Sequence, residues 1–308
     1  MPPIASVDVP ASSANLGSGF DCFAAALSLK LRAELWPGAE AGIVLEAHGE
    51  GAPRDDDPPE ENLLIRAFRE GLRASAAAGA ASWRLEVSSM IPAARGLGSS
   101  AAAIVAGVVL GAAVGRRAVE ADELLAIAAR LEGHPDNVAA ALYGGFTLAL
   151  APGAGNRDNP ITLRRFRVPE AWIPVVFIPQ RESRTHAMRA ALPASVSHAA
   201  AARQAARTAL LASAIMSSDA GLLRPAMADE LHQPYRLPLL PGCQALIELA
   251  YERGAAGASL SGAGPSVLAI CDSPATAHAV EKAWNASGVD GMATRLRFDT
   301  GGARLVAD

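Results

Sequence analysis

Lysine is almost missing from this chain: of 27 basic residues, only Lys30 and Lys282 are lysines. No Gly-Lys dipeptide occurs, which excludes a Walker-type phosphate loop, GxxxxGK[ST]. No lysine lies in a VAIK-like strand and there is no DFG triplet, so the protein-kinase signature set is missing too. Cysteine is equally sparse. Cys22, Cys243 and Cys271 are scattered, odd in number and form no CxxC pair. They support neither a disulfide framework nor a structural zinc site, and they fit a reducing compartment, so a cytoplasmic location is expected. A basic excess is lacking as well. The net charge of -4 argues against a nucleic-acid partner, which selects a basic face. The start, "MPPIASVDVPASSANLGSGF", has no basic stretch followed by an apolar run, so no signal peptide is expected. Residues 97–115 are the most apolar stretch and approach the length of a membrane span. They open on a polar "GSSAAA" and consist mostly of Ala, Gly and Val. They read as a buried helix, and no membrane partner is expected.

What is present is enough apolar sequence for a large core. The 308 residues are 51% hydrophobic and 19% charged, a length that suggests roughly two domains. "PIASVDVPAS", "CFAAALSLKLRAELWPG", "GIVLEAHG" and "SWRLEVSSMIP" read as strands. "NLLIRAFREGLRASAAAG" and "AVEADELLAIAARLEG" carry helical spacing. Just before the first of these helices, "DDDPPEE" (55–61) reads as a solvated acidic loop. The composition shifts at "APGAGNRDNP" (151–160), a Gly/Asn/Pro linker. It divides the chain into an expected N-terminal domain, 1–152, and a C-terminal domain, 153–308. Beyond the linker, "WIPVVFIP" reads as a buried strand. "THAMRAALP", "VSHAAAARQAARTALLASAIM" and "CQALIELAYERG" read as helices. "ASLSGAGPSVLAICD" reads as strand, turn and strand, then a helix at "ATAHAVEKAWNASG" and a strand near 292–298. Strands and helices mix in both halves, with hairpins as well as crossovers, which favours an α+β fold.

The segment "PAARGLGSSAAA" (92–103) is a glycine-rich turn running into the apolar helix. Gly96 and Gly98 allow the backbone to approach a ligand closely. Ser99 and Ser100 stand where the helix begins, among free N–H groups at the positive end of its dipole. Such a terminus holds phosphate through backbone amides, and a hydroxyl there can reach a Mg²⁺ ion, so the lysine charge is replaceable. Taken alone, the same residues equally suit the cap of a core helix.

Two further stretches accompany it. "PASSANLGSGFD" (10–21), "PAARGLGSSAAA" and "LSGAGPSVLAI" (260–270) resemble, in order and spacing, the three motifs of the GHMP small-molecule kinases. Within that superfamily the chain most resembles the homoserine kinases, through "ANLGSGFD", "EGHPDNVAAALYGGF", "THAMRAALP" and "LHQPYRLPLLPG". The resemblance covers nearly the whole chain. It implies a ribosomal S5 domain 2-like β-α-β N-terminal domain and a ferredoxin-like C-terminal domain. It also implies ATP-dependent phosphorylation of the side-chain hydroxyl of L-homoserine, on the route to threonine. ATP and Mg²⁺ are the implied cofactors, and a homodimer is the common family state.

Site residues follow from the same resemblance. Pro92, Arg95, Gly96, Leu97, Gly98, Ser99, Ser100 and Ala101 would form the nucleotide loop, with Asn62 near the adenine; Asn62 equally suits a helix N-cap. Arg189 and Arg236 match a carboxylate clamp, for which the planar guanidinium fork is suited. Thr185, one helical turn before Arg189, would face the same way. Asp21 would take the ammonium and Asn15 the substrate's polar end; both also suit a turn that satisfies its own backbone. Asn137 matches the residue that bonds the reacting hydroxyl, and His134 a substrate-site histidine. Asp136 is either general base or orienter, since phosphoryl transfer rests mainly on positioning and charge neutralisation. Mg²⁺ takes hard oxygen ligands, for which Ser100 and Glu132 are the candidates; the family's metal glutamate can lie eight residues before the histidine, where this chain has Ala126, so Glu123 and Glu120 are fallbacks. Gly262 and Gly264 would line the cleft. Two positions depart from the family pattern: Ser18 and Ala140 stand where proline is common.

Overall fold

The computed structural model describes residues 2–39, 42–51, 61–77, 82–152, 160–183 and 185–306. The acidic loop except Glu61, and most of the linker, therefore lie outside the described residues. The elements run β1 (Ala5–Asn15), β2 (Gly19–Pro37), β3 (Ile43–Gly49), α1 (Leu63–Ala74), β4 (Trp83–Ser89) and α2 (Ser99–Ala113). Then come α3 (Ala121–Glu132), α4 (Asp136–Tyr143), β5 (Phe146–Leu150), β6 (Thr162–Phe166), β7 (Ile173–Pro179), α5 (Thr185–Ala190) and α6 (His198–Ser217). The rest are α7 (Leu223–Ala226), α8 (Gln233–Arg236), α9 (Cys243–Glu252), β8 (Gly257–Leu260), β9 (Val267–Cys271), α10 (Pro274–Asn285), β10 (Gly291–Arg295) and β11 (Arg304–Val306).

Two sheets result. The first has the order β11-β1-β2-β4-β3, and β5 joins β2 and carries β6. Its ladders are antiparallel except that of β3 with β4. The second, β10-β7-β9-β8, is wholly antiparallel. Taken in chain order, its strands lie 4-1-3-2 with helices in the crossovers, the ferredoxin-like arrangement. The α+β class stands. The expected boundary at residue 152 divides the chain by sequence. Two strands beyond it, β6 and β11, hydrogen-bond into the first sheet.

The apolar stretch is α2, buried from Ala101 to Gly111, so it carries no polar face and lies inside the first core. No helix among the described residues is long and apolar enough to cross a membrane. Its partner α1 is amphipathic and buries Leu64, Ile65, Ala67, Phe68 and Gly71. The two helices meet backbone to backbone. A Cβ on Gly111 would strike Phe68 O, and one on Gly107 would strike Leu64 O. Gly111→Ala should therefore destabilise the fold by ~1–3 kcal/mol through overpacking, more than the ~1 kcal/mol that alanine gains over glycine in a helix. A lower urea midpoint is the expected result; an unchanged or raised midpoint would show that the helices separate freely.

Candidate active site

One cleft of about 270 Å³ lies where the three glycine-rich turns converge. The β4–α2 loop forms one wall. Gly96 (φ +75°) and Gly98 (φ +70°) are both left-handed, and neither has room for a side chain. A Cβ on Gly96 would meet Ser261 O, and one on Gly98 would meet Ser12 Oγ. Glycine here lets three chain segments touch. The first backward bond of α2 runs from Ala102 N to Gly98 O (2.9 Å). The N–H groups of Ser99, Ser100 and Ala101 thus precede the helical ladder, at its positive end. Leu97 and Ala101 bury their side chains, so only their backbones can serve a ligand.

Arg95 and Asn62 take other duties. Arg95 donates to Pro179 O (2.9 Å), Ala93 O (2.9 Å) and Gln180 O (2.8 Å). It ties the loop to the end of β7 and does not line the cleft. Asn62 is the N-cap of α1, its Oδ1 accepting from Leu64 N and Ile65 N. Pro92 is buried and, like Asn62, lies off the cleft lining.

Glu132 ends α3 on the opposite wall, and Ser100 Oγ donates to its Oε2 (2.7 Å). Burial pushes the Glu132 carboxyl above the usual range, against the lowering effect of that hydrogen bond. The fallback glutamates lie elsewhere: Glu123 pairs with Arg117, and Glu120 precedes α3 as its N-cap residue. Among the described residues no group of three or more His, Cys, Asp or Glu could hold a metal. One hydroxyl and one carboxylate fit a Mg²⁺ ion that keeps waters and phosphate oxygens as its remaining ligands.

The α3–α4 turn brings three expected residues together. Asp136 is buried at the start of α4. Its Oδ1 accepts from Asn137 N (2.7 Å) and lies 2.7 Å from His134 Nδ1. Burial depresses the His134 pKa. The bond to Asp136 and the charges of Asp136, Glu132 and Asp21 outweigh this, leaving it above the usual 6.5. A group with a raised folded pKa stabilises fully below its unfolded pKa and loses that contribution as pH rises through the folded one. An NMR titration of the His134 ring should therefore show a midpoint above 6.5; a midpoint at or below it would mean that desolvation prevails.

Asn137 turns its Oδ1 to Ser12 Oγ, which donates at 2.8 Å, so its Nδ2 is the donor left for a ligand. Ser12 is fully buried in β1 and was not among the expected site residues; its place within the motif "PASSANLGSGFD" was its signal. Asn15 is likewise committed. Its Nδ2 donates to Gly262 O (2.8 Å), and its Oδ1 accepts from Asp21 N (3.1 Å). It lines the cleft, yet its amide holds the first turn against the third. Gly264 (φ +82°) shapes that third turn, its N–H donating to Ser261 O (2.8 Å). Gly262 and Ala263, rather than Gly264, reach the cleft lining. Ser183, also unexpected, lines it from the β7–α5 connection.

The two arginines differ sharply. Arg189 makes a bidentate pair with Asp21, Nη1 to Oδ2 and Nη2 to Oδ1, both 2.9 Å. The residues expected to take opposite ends of the substrate thus hold each other. Arg236 is 2% exposed and pairs with no carboxylate among the described residues. Its Nε donates to Met188 O (3.3 Å), and its Nη1 to Gly262 O (3.2 Å). Burial and the nearby Arg189 charge lower its pKa. Both guanidiniums lie over the Phe20 ring, 5.4 Å away for Arg236 and 5.8 Å for Arg189. Thr185 opens α5; its side chain lies outside the described residues.

Comparison with known proteins identifies the family. The model of the GHMP kinases N terminal domain matches residues 62–145, and that of the GHMP kinases C terminal domain matches residues 211–290. A homoserine kinase of Synechococcus sp. is 39% identical over 303 residues, covering 97% of each chain. One from Streptomyces coelicolor is 40% identical over 97% of this chain and 94% of its own length. A solved homoserine kinase structure from Cytophaga hutchinsonii superposes with a TM-score of 0.86 at 26% identity, covering 98% of this chain and 97% of the other. The chain therefore belongs to the GHMP kinases and, within them, to the homoserine kinase family.

Proposed function

We propose that this chain transfers the γ-phosphoryl group of ATP to the side-chain hydroxyl of L-homoserine, giving O-phospho-L-homoserine on the route to threonine. The observation that carries the reading is Arg236. A buried cation without a carboxylate partner is costly, and here it borders the same cleft as the open N–H groups of α2. A bound carboxylate relieves that cost.

The substrate zwitterion suits the remaining charges. Its ammonium would turn to Asp21, and its carboxylate to Arg189 and Arg236. One protein ion pair is thereby exchanged for contacts at both ends. A mevalonate-like alcohol has a carboxylate but no ammonium, so breaking the same pair would strand Asp21. The hydroxyl is then placed by Asn137 Nδ2 while the phosphates rest on the N–H groups of Ser99, Ser100 and Ala101. Ser100 and Glu132 would hold Mg²⁺, whose charge offsets that of the phosphates. As the O–P bond to the acceptor forms, the bond to the ADP oxygen breaks and the hydroxyl proton passes to solvent water. Little base strength is required for a loose phosphoryl transition state. Asp136, committed to His134 and to Asn137 N, serves better as orienter of these two than as base.

The same reading includes a homodimer, from family likeness, and a cytoplasmic location, which three free cysteines support. The experiment that tests the function is ADP release from Mg·ATP with L-homoserine, mevalonate, L-threonine and L-serine. Turnover with homoserine alone is expected. Turnover with mevalonate would remove the zwitterion argument, and no turnover with any of the four would remove the activity.

A further inference from the structure

Arg236 is held by more than backbone carbonyls. His232, one helical turn earlier, is fully buried, and its Nδ1 lies 3.3 Å from Arg236 Nη1. Its Nε2 lies 2.8 Å from Gly17 O. A carbonyl only accepts and a guanidinium only donates. The two contacts together therefore define one state: Nε2 carries the proton, Nδ1 is a bare acceptor, and the ring is neutral.

The surroundings fix this ring in place. Asp229 Oδ2 accepts from His232 N (2.9 Å) and Gln233 N (2.6 Å), capping the segment that carries both residues. Asp229 Oδ1 accepts from Leu231 N (3.0 Å) and Gln204 Nε2 (2.8 Å). The same Gln204 Nε2 also donates to Ser18 O (2.8 Å), beside Gly17. Phe20 stacks on the imidazole with centroids 5.2 Å apart and presents its ring to the Arg236 guanidinium. With Nε given to Met188 O, and Nη1 to Gly262 O and His232, Nη2 is the nitrogen of Arg236 without a hydrogen-bond partner among the described residues.

We propose that His232 is a positioning residue: its neutral imidazole, anchored on Gly17 O, fixes Arg236 Nη1 so that Nη2 meets the substrate carboxylate. This rests on the assignment of Arg236 to that carboxylate. It separates His232 from a residue that merely fills the core, because the acceptor at Nδ1, and not the ring volume, carries the effect.

The test compares H232Q, H232N and R236A in full-length enzyme, with KM and kcat measured for both homoserine and ATP. Glutamine reaches Gly17 O but offers nothing at the Nδ1 position. It should raise the homoserine KM about tenfold, the scale of one hydrogen bond to a charged group, with the ATP KM unchanged. Asparagine places an acceptor near Nδ1 and should recover most of the loss. H232Q should add nothing further in an R236A background. Equal homoserine KM values for H232Q, H232N and the unaltered enzyme would overturn the proposal, as would parallel rises in both KM values. If R236A itself leaves the homoserine KM unchanged, the carboxylate assignment fails instead. Should H232Q not fold, ¹⁵N NMR of the unaltered enzyme decides. A bare Nδ1 and a protonated Nε2 are expected, and a proton on Nδ1 would overturn the proposal.

Discussion

Arg236→Ala is expected to raise the homoserine KM by ~2–5 kcal/mol, from about thirtyfold to more than a thousandfold, with the ATP KM nearly unchanged. Truncation leaves the substrate carboxylate facing Met188 O and Gly262 O, the carbonyls that now accept from the guanidinium. Carbonyl oxygens repel a carboxylate, so the loss exceeds that of a missing attraction. Arg189 cannot replace it, because it already serves the same carboxylate once the substrate has broken its pair with Asp21. Arg236→Lys should recover only part of the loss, because an ammonium lacks the fork that binds carboxylate, His232 and carbonyls together. The measurement is steady-state kinetics with each substrate varied in turn. An unchanged homoserine KM would remove Arg236 from the substrate site.

Ser100→Ala should act on the other substrate. It removes one of the two oxygen ligands proposed for Mg²⁺ and disturbs the second. Glu132 is already biased toward its neutral form by burial, and the Ser100 hydroxyl is the hydrogen bond that opposes this. Without the hydroxyl, Glu132 protonates more readily, and a protonated carboxyl is a poor metal ligand. A fall on the order of 10²-fold in kcat/KM for Mg·ATP is expected, with partial recovery at higher Mg²⁺ and higher pH. The homoserine KM should move little. An unaltered Mg²⁺ activation curve would reduce Ser100 to a helix residue with no metal duty.

Much of the candidate site was legible through the motif resemblance, in which glycines and arginines are the most recognisable positions. Gly96 and Gly98 occupy left-handed positions that few other residues tolerate, and Arg236 sits in a short motif with little else to explain it. What was not legible is pairing. Nothing in a linear sequence says that Asp21 and Arg189, 168 positions apart, neutralise one another, or that Arg95 spends its donors on the end of β7. Ser12 escaped for a related reason: strand alternation distinguishes faces, not which buried hydroxyl meets Asn137. Most strands and helices were recognisable from periodicity. Strands β6 and β11 were not. One reads "TLRRF" and the other is only three residues long, and both owe their conformation to the sheet edge they join. Helix α4 was missed as well, because its polar start at Asp136 and Asn137 reads as a cluster of site residues rather than a turn of helix.

Strand β11 has a consequence for timing. It pairs Ser6 with Val306 and Asp8 with Arg304, residues from nearly opposite ends of the chain. Just before it, Phe298 packs on Phe146 and Asp299 binds Lys30. Contacts of such separation close very long loops and carry a correspondingly large closure entropy. Translation proceeds from β1, so this edge of β1 stays bare until residues 304–306 have been made. The strand that carries Ser12 and Asn15 thus gains its outer partner only after Gly262 and Ala263, on the facing wall of the cleft, have been synthesised.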